Sequence, residues 1–209
     1  KGCGISLNSK LTKIHHLNNK IYKIDIENEN KFSEITAEDY FFSNPFTEII
    51  SLMDPPPPQK IIEASSQLRY RNHICVNLEI KGILFPDNWI YVHDPKVKMA
   101  RVSNYKNFSK YMSTSDNINP ITVEYFAFKN EYIWKMNDQE LVEFAINELL
   151  IAKIINDTHL ISNSFIVRST NAYPVIEKGY EKNVNIIKEY FSKFPNLHPI
   201  GRSGMFKYN

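Results

Sequence analysis

The residues best suited to meeting an anionic ligand are Gly201-Arg202-Ser203-Gly204, near the end of the chain. A glycine on each side of an arginine, straight after an apolar run, permits close backbone approach, because glycine tolerates φ > 0 and has no side chain. The arginine adds a charge that does not titrate away. Taken alone the pattern is a turn, so its meaning rests on the rest of the chain. After it come Met205, Phe206 and Tyr208.

Other chemistries find less support. His15 and His16 are adjacent, so on a strand they face opposite ways and cannot share one ion. His73, His93, His159 and His198 have no partner at metal-ligand spacing. Neither Cys3 nor Cys75 sits in a catalytic motif, and Gly-x-Ser-x-Gly is absent. Gly2-Cys3-Gly4 is half of a dinucleotide-binding turn, with Ser6-Leu7 in place of the third glycine. Arg69, Arg71, Lys106 and Lys110 are scattered, which argues against nucleic acid. Glu124, inside an aromatic strand, needs a partner if buried and is expected to be a paired structural residue.

The positioning elements are legible as an α+β pattern. Strands are expected over 4–7, 11–17 and 20–26, with Asn18-Asn19 turning a hairpin. Glu27–Lys31 reads as a polar turn and 37–43 as a strand. Pro45 opens a helix over 46–52. Pro55–Pro58 reads as a stiff exposed spacer before a helix over 59–67. Strands over 69–80, 89–93, 99–105 and 121–128, joined by short connections, favour an antiparallel sheet. Trp89, Tyr91, Tyr105 and Tyr125 are expected on its packed face. Asn137 and Glu140 form a capping box that starts a helix running to about Ile154. A strand over 164–169, a helix over 178–193 and a final strand after Pro195 lead to Gly201.

The 209 residues suffice for one large domain or two small ones. A net charge of +2 removes any bulk electrostatic case for nucleic acid or an anionic membrane. No apolar run approaches bilayer length. Two cysteines without redox spacing make a reduced, cytoplasmic protein the expectation, with a disulfide still open. On residues and spacing alone, the function stays open.

Several segments, in order, resemble the second half of flavoproteins of the amine oxidase, protoporphyrinogen oxidase and UDP-galactopyranose mutase group. The likeness is strongest to bacterial members that accompany polysaccharide or LPS biosynthesis. The segments are Leu68-Arg-Tyr-Arg-Asn72, Phe85-Pro-Asp-Asn-Trp-Ile-Tyr-Val-His-Asp94, Arg101-Val-Ser-Asn-Tyr-Lys-Asn-Phe-Ser109 and Val123-Glu-Tyr-Phe126. Ala172-Tyr-Pro-Val175, Pro195-Asn-Leu197 and Gly201-Arg-Ser-Gly-Met-Phe-Lys-Tyr-Asn209 complete the set.

The resemblance implies a Rossmann-type FAD domain, contributed in part by 1–43 and 174–209, and a mostly antiparallel substrate-side sheet with helices over 44–173. It implies that the backbone of Leu11 meets the adenine. Gly201, Arg202, Gly204 and Met205 would lie beside the flavin, with Met205 as wall. Tyr208 takes the place of the second tyrosine in the mutase pattern Gly-Arg-x-x-x-Tyr-x-Tyr, which contacts the substrate pyrophosphate. Phe206 stands where the first tyrosine would be, which weighs against a mutase.

The resemblance further implies a glycine-rich FAD-binding segment upstream of Lys1 and a helix after Asn209. The chain is therefore expected to be part of a longer protein and to bind little or no FAD alone. The leading expectation is an FAD-dependent oxidoreductase acting on a small molecule. A redox-neutral mutase acting on a nucleotide-sugar and a stand-alone non-catalytic module are the alternatives.

Overall fold

The computed structural model describes residues 2–82 and 84–208. In chain order, β1 (Ser9–Leu17), β2 (Lys20–Asn28), β3 (Lys31–Ile35), β4 (Tyr40–Phe42), α1 (Phe46–Leu52), β5 (Met53–Asp54) and α2 (Gln59–Ser66) come first. They are followed by β6 (Tyr70–Lys81), β7 (Trp89–Tyr91), β8 (Arg101–Asn104), α3 (Tyr105–Phe108), β9 (Ile118–Ala127), α4 (Tyr132–Lys135) and α5 (Asp138–Ile151). Last come β10 (Ile161–Pro174), α6 (Tyr180–Phe191), β11 (Leu197–Pro199) and α7 (Gly201–Gly204). The fold is α+β. The chain divides into two compact units, Lys1–Tyr70 with Tyr173–Asn209, and Arg71–Ala172.

In the first unit, β1 and β2 pair antiparallel, with Leu17 opposite Lys20. Asn18 and Asn19 both have positive φ, 48° and 59°. That is the conformation a tight two-residue hairpin requires and asparagine tolerates. Glu29 and Asn30 repeat the device, at 47° and 65°. The expected polar turn over Glu27–Lys31 therefore shrinks to two residues, and β3 continues the meander. β3 is exposed along its whole length, so it shows no alternation to read in the sequence. The strand expected over 4–7 does not form: this stretch is irregular and exposed.

β4 and β11 form a parallel pair, Tyr40 beside Leu197 and Phe42 beside Pro199. Asn196 joins this pair to the hairpin. Its buried amide accepts from Ile21 N at 3.1 Å and donates to Ile21 O at 2.8 Å. The core packs Phe46, Ile49, Ile61, Ile187, Phe191 and Phe206. The proline run is less exposed than expected, because Pro57 is buried.

In the second unit, the sheet order is β10-β6-β9-β8-β7, antiparallel from β6 through β9 and β8 to β7. β6 alternates without interruption: Asn72, Ile74, Val76, Leu78 and Ile80 are buried, and Arg71, His73, Cys75, Asn77 and Glu79 are half-buried on the other face. The buried face meets Leu141, Ala145 and Leu149 of α5, spaced four residues apart on one helix stripe. The capping box forms as expected, with Glu140 N to Asn137 Oδ1 at 3.0 Å and Asn137 N to Glu140 Oε2 at 2.8 Å.

Of the four aromatics expected on the packed face, Tyr125 is buried. Trp89 and Tyr91 are exposed, because Ile90 between them faces the core. Tyr105 is half-buried. Among the described residues no helix is long and apolar enough to cross a membrane.

Candidate functional site

The terminal stretch takes its shape from β11. Ile200 N donates to Phe42 O at 2.8 Å, and Gly201 then adopts φ +70° with open space where a side chain would be. The expected turn is one short helical turn, α7, closed by Met205 N to Gly201 O at 3.1 Å and Lys207 N to Arg202 O at 3.0 Å. Met205 is half-buried.

Gly204 differs in kind from Gly201. A Cβ at Gly204 would lie 2.5 Å from Phe42 O and 3.3 Å from Asn44 O. The chain's own backbone therefore explains this glycine. Tyr70 secures the same turn: its buried hydroxyl donates to Ser203 O at 3.1 Å and accepts from Phe46 N at 3.2 Å. Burial pushes this phenol's pKa well up.

Phe206 is only 2% exposed and meets the Tyr70 ring edge-on at 5.1 Å. It belongs to the core. Tyr208 is 59% exposed. Arg202 lies over two rings, 4.6 Å from the centre of Tyr173 and 5.8 Å from that of Tyr208. The rings are themselves 5.7 Å apart.

The structure thus brings Arg202 and Tyr208 together and adds Tyr173, which sequence reasoning did not single out. The signal was there in Ala172-Tyr173-Pro174-Val175, but nothing in it gave the distance to Arg202. Leu11 stands apart from this cluster. It lies in β1 opposite Ile26 and packs on the core of the first unit. β5 covers the other edge of β1 only at Ile14 and His15. Among the described residues, the edge beside Leu11 therefore has no strand.

The second unit holds a separate charged cluster on the open face of its sheet. Glu124 is 4% exposed and fully satisfied. Arg101 grips it with Nε at 2.8 Å and Nη2 at 2.6 Å, and His73 Nε2 lies at 2.9 Å. Burial alone would raise the carboxyl's pKa, but the His73 and Arg101 bonds outweigh it and hold Glu124 at about 2.

Burial works against charge on His73 as well. Contacts to Cys75, whose Sγ is 3.7 Å from both ring nitrogens, and to Glu124 outweigh it and hold the imidazole at about 9. Bonding to Glu124 likewise raises the pKa of Arg101. A carboxylate held this way cannot act as a base, so the expectation of a paired structural Glu124 holds. Strand alternation puts His73 and Cys75 on one face; the register that sets Cys75 opposite Glu124 is a tertiary fact.

Both cysteines are free thiols. Among the described residues no group of three His, Cys, Asp or Glu side chains could hold a metal ion.

No protein-family model and no curated protein matches the chain. Solved structures do. A reduced UDP-galactopyranose mutase matches with TM-score 0.77 at 16% identity, over 95% of this chain and 41% of that one. A protein provisionally assigned as a protoporphyrinogen oxidase, from Exiguobacterium sp. 255-15, matches with TM-score 0.67 at 13% identity, over 93% and 42%. An oxidoreductase from Methanosarcina mazei matches with TM-score 0.61 at 11% identity, over 94% and 44%. The chain spans less than half the length of each of these proteins, and over nearly all of its own length it shares their fold.

Proposed function

We propose that the chain is the substrate-side sheet and part of the cofactor-side unit of an FAD-dependent oxidoreductase. The observation that carries this reading is the Tyr173–Arg202–Tyr208 cluster, set directly after a left-handed glycine with open space beside it. Such a glycine permits close backbone approach, and the arginine offers fixed charge to an electron-rich or anionic group.

The residues fit FAD in part. Gly201 and Arg202 have the conformation and charge to border it, Met205 can form wall, and Leu11 has an uncovered strand edge that suits backbone bonds to adenine. Gly204 contributes by letting the turn sit against Phe42 rather than by touching the cofactor. The 209 residues contain no Gly-x-Gly-x-x-Gly to hold the pyrophosphate, so FAD binding is assigned to the complete protein and not to these residues alone.

FAD, when bound, supplies the hydride acceptor. Arg202 orients and balances charge, and Tyr208, an exposed residue beside it, meets the substrate. The substrate is a small molecule, and the resemblance to bacterial members that accompany polysaccharide or LPS biosynthesis supports a role in that chemistry.

The second reading is a redox-neutral mutase acting on a nucleotide-sugar. The fold similarity to the mutase, at TM-score 0.77, favours it. Phe206 opposes it, since a tyrosine at that position would bury its hydroxyl in the core. Incubating the product of the complete open reading frame with UDP-sugars under reducing, anaerobic conditions separates the two. Isomerisation without net oxidation establishes the mutase, whereas bleaching of the oxidised flavin by substrate, in a parallel anaerobic incubation without added reductant, establishes the oxidoreductase.

A further inference from the structure

The open face of the second unit's sheet ends in a groove used by neither cluster above. Asn77 of β6 lines it, and Thr122 of β9 is its register partner in the sheet. Tyr105 and Phe165 stand as walls, and Glu79 and Asn163 form part of the lining. Its volume is about 120 Å³. A closed cavity of about 150 Å³ holds one benzene; this groove is smaller but open to solvent on one side, so it can seat one face of a single ring and encloses nothing as large as a nucleotide.

The polar atoms of the groove are arranged for a partner. Thr122 is buried, and its one hydroxyl proton goes to Asn77 Oδ1 at 2.6 Å. The Tyr105 hydroxyl lies within hydrogen-bond distance of the same Thr122 Oγ1, at 3.1 Å. The Asn77 amide protons reach only long contacts, 3.3 Å to Cys75 O and 3.4 Å to Phe165 O. A better acceptor in the groove would take them. Phe165 is 61% exposed, an apolar wall that a ligand would cover.

We propose that this groove binds an uncharged, hydroxylated six-membered ring, a monosaccharide unit, packed between Tyr105 and Phe165. An apolar ring would desolvate Glu79, Asn77 and Asn163 without pairing them, which costs free energy. An anionic ligand would meet the Glu79 carboxylate. A pyranose offers a C–H face to the two aromatic rings and hydroxyls to the amides and the carboxylate. All the residues lie in the second unit, so the assignment stands apart from the flavin reading.

The test is an NMR titration of the ¹⁵N-labelled chain with methyl pyranosides, with benzyl alcohol and sorbitol as controls. Side-chain amide shifts at Asn77 and Asn163 should saturate with a Kd on the order of 1–10 mM, as befits a few contacts. Phe165→Ala should weaken binding at least fivefold, and its exposure predicts an unchanged melting temperature. Phe165→Leu, which removes the ring but keeps apolar bulk, should weaken binding likewise. The proposal is overturned if benzyl alcohol shifts these amides and the pyranosides do not. Binding by Phe165→Leu equal to that of the parent also overturns it.

Discussion

The guanidinium of Arg202 lies 4.6 Å from the centre of the Tyr173 ring, although 28 residues separate them in the sequence. An exposed cation over a ring is worth only about 0.5–1 kcal/mol. Arg202→Ala should therefore leave the melting temperature of the chain nearly unchanged. In the complete protein it should weaken FAD binding or substrate affinity at least tenfold. A large loss of stability would instead make Arg202 a structural residue.

The two glycines around Arg202 should separate by mechanism. Gly204→Ala drives a Cβ to 2.5 Å from Phe42 O, and overpacking of this kind costs about 1–3 kcal/mol. Gly201→Ala meets no neighbour but is strained at φ +70°, costing about 1–2 kcal/mol. Gly201→Asn should recover part of that loss, because asparagine tolerates the left-handed region, whereas Gly204→Asn should be worse than Gly204→Ala. Urea denaturation midpoints decide.

Removing the charge of Glu124 strands two cations. Glu124→Gln leaves Arg101 and His73 facing a neutral amide on a buried strand, and breaking a buried pair costs about 3 kcal/mol or more. Chemical denaturation of Glu124→Gln should show this loss. A change below about 0.5 kcal/mol would mean that the cluster is solvated and unimportant to the fold.

The same cluster sets a pH window. His73 rises from 6.5 to about 9, so its contribution is complete below pH 6.5 and is lost as pH climbs through 9. Glu124 falls from 4.5 to about 2, so its contribution is complete above pH 4.5 and is lost as pH drops through 2. The charged groups facing them are Arg101 on β8 and each other, with Cys75 alongside. Stability should be highest between pH 4.5 and 6.5. His73→Gln should lose the alkaline part of the decline while keeping the acid part, as read by melting temperature against pH.

Asn196→Ala should be among the costly single changes in the first unit. It removes both partners of the Ile21 backbone on a buried edge, at about 1–3 kcal/mol for each group left unsatisfied. Asn196→Asp can accept from Ile21 N but cannot donate to Ile21 O. Ionised, it buries a charge against the Ile21 carbonyl, so at neutral pH it should be at least as unstable as Asn196→Ala in thermal melts.

Much of the architecture could be read from local signals. Asn18-Asn19 specified a turn that only left-handed residues make, Asn137 with Glu140 marked a helix start, and β6 alternated cleanly over twelve residues. What escaped was non-local. β3 is exposed on every residue and exists only because β2 offers it an edge. Trp89 and Tyr91 looked like core by residue type, but Ile90 took the inward position. At the candidate site, Arg202 and Tyr208 were legible from the glycine-arginine pattern and the resemblance. Tyr173 was not, because its role depends on a distance between two chain segments. Both glycines of the pattern drew attention for one reason and serve two, since the clash at Gly204 is with the protein itself.

The most direct measurement is the flavin content of the protein expressed from its complete open reading frame, beside that of the 209-residue chain. The account predicts bound FAD in the former, a weaker complex after Arg202→Ala, and little or no FAD in the latter. A complete protein without flavin, or tight flavin binding by the 209 residues alone, would contradict it.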